Sequence, residues 1–223
     1  MRTWFLVLAL MLNAKKSASS YQISRDIGIR QPTVWSMMHR IRTAMDADMD
    51  QAELLYGIVE ADETYVGGKP RKPNKRDDDK PNKRGRGTSK TPIVGVMERF
   101  GRIVARVADA KGIAAKGLTK FIKKHVELDA AILVTDEWKG YKNMGKIVKH
   151  VVVNHSRAFV EGLAHTNTIE GFWSIIKRAW YGQHHHYSEK YTQLYISEAC
   201  FKRNTRKMAD NFDYTLGVMV GAV

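Results

Sequence analysis

Three short β-rich runs in succession, LYGIVEADETYV, PIVGVMERF and RIVARVADA, constrain this chain's fold more than any other feature. Val- and Ile-rich runs of this length read as strands, and Phe100-Gly101 between the last two marks a hairpin, so the three form a meander. Residues 113–126 (IAAKGLTKFIKKHV) then take helical spacing, and AILVTD returns as a strand of the buried kind. A turn or short helix leads to HVVVNHS, and a long helical stretch begins near Asn167.

Three strands, a helix, two further strands and a helix imply an α/β domain built on a mixed five-stranded sheet with helices on its faces. This is the order of elements expected of an RNase H-like domain. Upstream, residues 1–45 read as helices, with Trp4, Phe5, Leu8 and Met11 or Leu12 at helical spacing, then Tyr21, Ile23 and Ile27 before Gly28. Gly28 supplies a tight turn. In RQPTVWSMMHRIRTAM, Pro32 suits a first helical turn and Val34, Met37 or Met38, Ile41 and Met45 make an apolar stripe. The opposite face offers Gln31, Thr33, Ser36, His39 and Arg40. That pattern is a helix-turn-helix, whose second helix enters a DNA major groove, in preference to an ordinary helical hairpin. The expected division is a DNA-binding region over 1–50, a catalytic domain over 51–205 and a tail over 206–223.

The opening MRTWFLVLALMLNA has an apolar run that imitates a secretory signal, but it lacks a small-x-small cleavage site and is too short to span a membrane. It reads as a buried helix. With Cys200 the single cysteine, no internal disulfide or Cys-based zinc site can form, which suits a cytoplasmic, nucleoid-associated protein.

A formal charge of +14 points to a polyanionic partner. Half of it comes from residues 69–90, where ten Lys or Arg stand against three Asp, inside an insertion over 67–92 without an apolar anchor. The insertion emerges just after Asp62. Lys69, Arg71, Lys72, Lys75, Arg76, Lys83, Arg84 and Arg86 therefore read as a grip on the phosphate backbone, the plainer reading being a solvated loop.

Asp62 and Asp136 sit at the ends of two apolar runs, and Glu170 lies in the helix HTNTIEGFWSIIKR. Carboxylates so placed can converge on two Mg²⁺ ions about 3.5–4 Å apart, with Asp62 bridging, and Mn²⁺ as a substitute. Such a site activates an oxygen nucleophile and assists the departing oxygen of a phosphodiester. Lys177, two turns after Glu170, faces the same way and can reach a bound phosphate. Asn167 either orients the carboxylate or caps the helix. Trp173 either stacks on an unpaired base or, as favoured for an aromatic on a helix, packs in the core. His165 and His155 are accessory phosphate ligands or, more simply, structural hydrogen-bonding groups. Glu60 and Glu137 adjoin the acids as neighbouring carboxylates, and His184, His185 and His186 form a structural or phosphate-contacting turn.

ADETYVGGK, TDEWKGY, HTNTIEGFWSIIKR and YGQHHHYSEKY together resemble the DDE transposases of bacterial insertion sequences, in particular insertion-sequence family fifteen ninety-five with its ISXO2-like transposase domain. The resemblance implies an RNase H-like fold, Mg²⁺ dependence and a catalytic set of Asp62, Asp136, Glu170 and Lys177. Its expected partners are double-stranded DNA, as terminal inverted repeats and target, and further copies of the chain on that DNA, with no membrane. Relatives often begin with a cysteine-rich zinc ribbon, which this chain lacks. The alternatives are an inactive or truncated DNA-binding derivative, or an RNase H-type nuclease that cuts without joining.

Overall fold

The computed structural model describes residues 2–67, 90–109, 111–153 and 165–221. Three helices come first, α1 (Arg2–Asn13), α2 (Ser20–Ile27) and α3 (Gln31–Asp50). Strands β1 (Leu55–Val66), β2 (Thr91–Glu98) and β3 (Ile103–Val107) follow as the expected meander, then α4 (Ala115–His125), β4 (Val126–Asp136) and β5 (Lys149–Val153). Helices α5 (Asn167–Ala179), α6 (Glu189–Asn204) and α7 (Asn211–Val220) complete the chain.

The sheet runs β3-β2-β1-β4-β5. β1 is antiparallel to β2 and β2 to β3, while β4 lies parallel to both β1 and β5. This is the RNase H-like mixed sheet that the succession of runs predicts. α5 packs across β1 and β2, and α6 packs against β3. α6 also satisfies the open edge of β3: the Asn204 Oδ1 and Gln193 Oε1 accept from the Ile103 and Val107 amides, each at 2.8 Å.

At the N-terminus, Ser19 Oγ accepts from the Gln22 amide to cap α2, and Gly28 at φ 70° ends it in the left-handed region that only glycine enters without penalty. α1 contributes Val7, Leu8 and Met11 to the core, while Phe5 is exposed. It is a packed helix as expected, and among the described residues no helix is long and apolar enough to cross a membrane. α3 buries Val34, Met37, Met38, Ile41, Met45 and Met49.

The apolar stripe is only half of what α3 hides. α6 covers a second side of it, so His39, expected on the outer polar face, is 8% exposed. Its ring lies against Trp35, Tyr191 and Tyr195, Nδ1 is 3.0 Å from the Trp35 carbonyl oxygen, and burial holds its pKa below the ordinary value. This location removes His39 from the DNA-contacting set. Thr33, Ser36 and Arg40 stay exposed, and Gln31 donates to Ser20 Oγ at 2.8 Å. Residues 206–223, expected as a tail, contain α7, which packs on α1 and α3.

One buried ion pair joins the N-terminal helices to the rest. Arg42 Nε on α3 donates to Glu198 Oε2 on α6 at 2.7 Å, both side chains 1% exposed, and the guanidinium lies 4.1 Å from the Tyr195 ring centroid. Burial pushes the Glu198 carboxyl up, but Arg42, with Lys202 behind it, outweighs that and holds it at about 2, against an ordinary 4.5. A depressed folded pKa gives stability that is present above the unfolded value and lost as pH falls through the folded one. Melting temperature should therefore drop between about pH 4.5 and 2, and Arg42→Met should flatten that limb while costing about 3–5 kcal/mol at neutral pH. Circular dichroism melts across pH read both effects.

Candidate active site

β1 and β4 are in parallel register with Glu60 opposite Val134. The ladder ends there, and two residues further along each strand come Asp62 and Asp136, near enough for the Asp136 charge to raise the Asp62 carboxyl. Asp136 is the last residue of β4, as expected. Asp62 is not at a strand end: β1 continues four residues to Val66 because its ladder with β2 persists through the Val66–Thr91 pair after β4 has diverged. The pair therefore sits where the parallel part of the sheet opens, the crevice in which α/β sheets place ligands.

Asp62 is held by α5. The Trp173 indole Nε1 donates to Asp62 Oδ2 at 3.0 Å, and Trp173 is 3% exposed. This settles its two readings for the core side and leaves no free ring face for an unpaired base. Gly95, the β2 partner of Asp62, makes room for the indole: a Cβ there would meet it at 2.6 Å. Burial, then the Glu63 charge, raise the Asp62 carboxyl to about 7, with Asp136 adding to the rise and the Glu63 amide and Trp173 indole opposing it. Asp136 Oδ1 accepts from the Trp138 amide at 3.0 Å. Tyr141, buried beneath the acids, donates to Glu63 Oε2 at 3.2 Å, and burial together with Glu63, Asp62 and Asp136 pushes its hydroxyl well above the ordinary value.

Glu170 stands on the first turn of α5 with its side chain exposed, and Thr166 Oγ1 donates to its Oε1 at 2.8 Å. Among the described residues no three His, Cys, Asp or Glu side chains are gathered into a cluster able to hold a metal ion. The strands thus bring Asp62 and Asp136 together, while Glu170 is one helical turn from Trp173 and engaged elsewhere. Lys177 is exposed two turns on. Asn167 is exposed as the first residue of α5, and the cap position before it belongs to Thr166, which makes no side-chain cap bond.

The start of α5 is capped instead from the sheet. Glu60, 0% exposed, accepts from the Thr168 amide at 2.9 Å and the Ile169 amide at 3.0 Å through Oε2, and from Thr168 Oγ1 at 2.9 Å and Arg99 Nε at 3.1 Å through Oε1. Arg99 also donates to the His165 carbonyl at 2.8 Å, and His165 Nδ1 lies 3.6 Å from Glu60 Oε1. His165 is thus part of this structural knot. Both Glu60 oxygens being engaged, Glu60 is not a spare metal ligand. The signal for it in the sequence was the alternation Glu60, Asp62, which puts both on one strand face.

The triple histidine ends a π-helical turn, Trp180–His184: His184 packs on Tyr187 and Tyr195, where burial lowers its pKa to about 4, and His186 meets the Trp180 ring. It is structural. Lys69, Arg71, Lys72, Lys75, Arg76, Lys83, Arg84 and Arg86 of the basic insertion, and His155, lie outside the described residues.

Asp62 and Asp136 thus meet at the mouth of an RNase H-like mixed sheet, with a third acid, Glu170, on the helix that crosses it. The family model for the ISXO2-like transposase domain matches residues 54–204, and the chain belongs to that family. A search of curated proteins finds no match. Among solved structures the chain is similar to a pre-cleavage Mos1 transpososome (12% identity, 95% of this chain and 77% of that one, TM-score 0.37). It is also similar to Mos1 mariner paired-end complexes with Mn (12%, 96% and 77%, TM-score 0.39) and with Mg (12%, 95% and 77%, TM-score 0.35).

Trp173→Phe removes an N–H donor from the Asp62 carboxylate, which stabilises the charged form, so its loss should move the Asp62 midpoint above about 7 in a ¹³C-carboxyl NMR titration. Gly95→Ala should displace the same indole and cost about 1–3 kcal/mol in chemical denaturation, as overpacking does.

Proposed function

We propose that this chain is a transposase that cleaves DNA at the ends of a mobile element and joins the freed 3′-OH to target DNA, using two Mg²⁺ ions, with Mn²⁺ as a substitute. The observation that carries the reading is the Asp62–Asp136 pair. Two hard oxygen donors lie near one another, and burial first, then the charges of Glu63 and Asp136, raises the Asp62 carboxyl. That electrostatic deficit fits divalent cations. Asp62 and Asp136 would hold them, with Glu170 completing the set once it leaves Thr166.

Bound there, the ions would offset phosphate charge and lower the pKa of an attacking water or hydroxyl. The chain's own residues supply the rest. Trp173 keeps one Asp62 oxygen in place, and the buried wall around it limits competing water. Lys177, on the exposed face of α5 that also bears Glu170, binds the phosphate. Gln31, Thr33, Ser36 and Arg40 on α3 read the terminal repeats in a major groove, and the basic insertion grips the flanking backbone. Two ends must be brought together, so the working form is a homo-oligomer on double-stranded DNA, in a cytoplasmic, nucleoid-bound setting.

Incubation with terminal-repeat DNA and Mg²⁺ should yield nicks and strand-transfer products, and chelation should abolish both. Asp62→Asn and Asp136→Asn should each lower the cleavage rate by about 10³-fold or more at unchanged DNA affinity, being direct partners of the reacting centre. Equal cleavage by Asp62→Asn would overturn the assignment. Products that are cut but never joined would instead indicate a nuclease. Lys177→Ala should cost about tenfold in cleavage or end binding without changing the melting temperature.

A further inference from the structure

An α-helix leaves its first N–H groups without internal partners, and the residue preceding it normally provides the cap. Thr166 occupies that place before α5, yet its hydroxyl is spent on Glu170. The cap comes from Glu60, 108 residues away in sequence from Thr168 and buried in the sheet. One carboxylate oxygen takes the Thr168 and Ile169 amides, and the other takes the Thr168 hydroxyl and Arg99. Arg99 in turn binds the carbonyl of His165, the residue just ahead of the helix.

Four bonds to two oxygens fix more than the fact of a helix start. Adjacent amides on one oxygen set how far α5 stands from β1, and the hydroxyl and guanidinium on the other set its rotation about its axis. α5 carries Trp173, which holds Asp62, and Glu170. A carboxylate at a helix N-terminus is also favoured by the helix dipole, which here acts in a buried setting with Arg99 offsetting the remaining charge.

We propose that Glu60 is a positioning residue of the active site: a carboxylate of β1 that caps α5 from the side and so sets where the helix-borne Glu170 and Trp173 stand relative to the strand-borne Asp62 and Asp136. The catalytic consequence rests on the reading of this site as the DNA-cleaving centre. The division of labour is specific. The helix's own cap residue is left to hold Glu170, while the sheet takes over the capping. A carboxylate so fully engaged acts through the helix and touches no substrate.

The test uses the full chain with Glu60→Gln, which preserves shape but turns an acceptor oxygen into an amide donor facing N–H groups. Single-turnover cleavage at saturating terminal-repeat DNA should fall about 10- to 100-fold, the range for groups that orient ligands, while DNA affinity by anisotropy stays within about twofold. Amide hydrogen exchange at Thr168 and Ile169 should speed up by at least about tenfold, whereas Asp136→Asn should leave exchange there unchanged. Thr168→Val, a milder change that removes one bond to Glu60, serves if the Gln variant fails to fold, and should cost about threefold in rate. Wild-type cleavage by Glu60→Gln would overturn the proposal, as would a rate loss without faster exchange at Thr168 and Ile169. A wild-type chain without Mg²⁺- or Mn²⁺-dependent cleavage would sink the functional reading instead, and the exchange comparison would still decide whether Glu60 sets α5.

Discussion

A carboxylate taken out of water has to be compensated, and three buried or nearly buried acids organise this molecule by how far that demand is met. Glu198 is answered by Arg42 and Lys202. Glu60 is answered by two amides, a hydroxyl and Arg99. Among the described residues, Asp62 is answered by an indole N–H and one backbone amide, against the like charges of Glu63 and Asp136. The first two are structural joints. The third carries the deficit that, on the proposed function, the site exploits, and the joints flank it: Glu60 caps the helix that touches Asp62, and Glu198 lies on the helix that closes the far edge of the same sheet.

The Arg42–Glu198 pair also bears on how the two halves of the chain work together. α3 is at once the second helix of the α2–Gly28–α3 pair and a core element packed on α6, sharing one continuous apolar core with the sheet. Breaking a buried pair leaves an uncompensated charge, at a cost of about 3–5 kcal/mol, so independent motion of α3 at that contact is disfavoured. On the proposed function, DNA held on the exposed face of α3 is then presented to the acidic pair through a stiff connection.

What was legible in the sequence follows from which periodicities one environment controls. β1 to β5 announced themselves because strands buried within a layered sheet have apolar runs bounded by turns, and α2–Gly28–α3 because a left-handed cap needs glycine. His39 was misplaced because a single stripe was assumed for α3, whereas α6 buries a second side. α6 itself, wedged between α3 and β3, has no clean stripe to read. Asp62 and Asp136 could be selected as polar intrusions in apolar runs, but the strand-end placement of Asp62 was wrong, since only the ladder partners decide where a strand stops. The alternation set Glu60 on the face of Asp62 and Trp173 read as core, but the cap that Glu60 makes and the bond that Trp173 gives to Asp62 were not legible. Both depend on contacts spanning more than a hundred residues, and a Glu two positions before an Asp carries no mark that it will cap a distant helix.

The contrast between strand-borne and helix-borne acids explains why the third carboxylate need not be in place beforehand. Asp62 and Asp136 are fixed by backbone register, so bringing them together requires no further motion. Glu170 is exposed on a helix whose start is pinned, and on the proposed reading joining the pair requires it to give up the bond from Thr166. A hydrogen bond to a charged group contributes about 1.5–3 kcal/mol net. The attraction of a carboxylate to a single positive charge at 4 Å is about 4 kcal/mol at an effective dielectric constant of 20, and about twice that for a divalent ion. A cation held by Asp62 and Asp136 would therefore compete with Thr166 for the Glu170 carboxylate, which on the proposed reading couples metal binding to completion of the site.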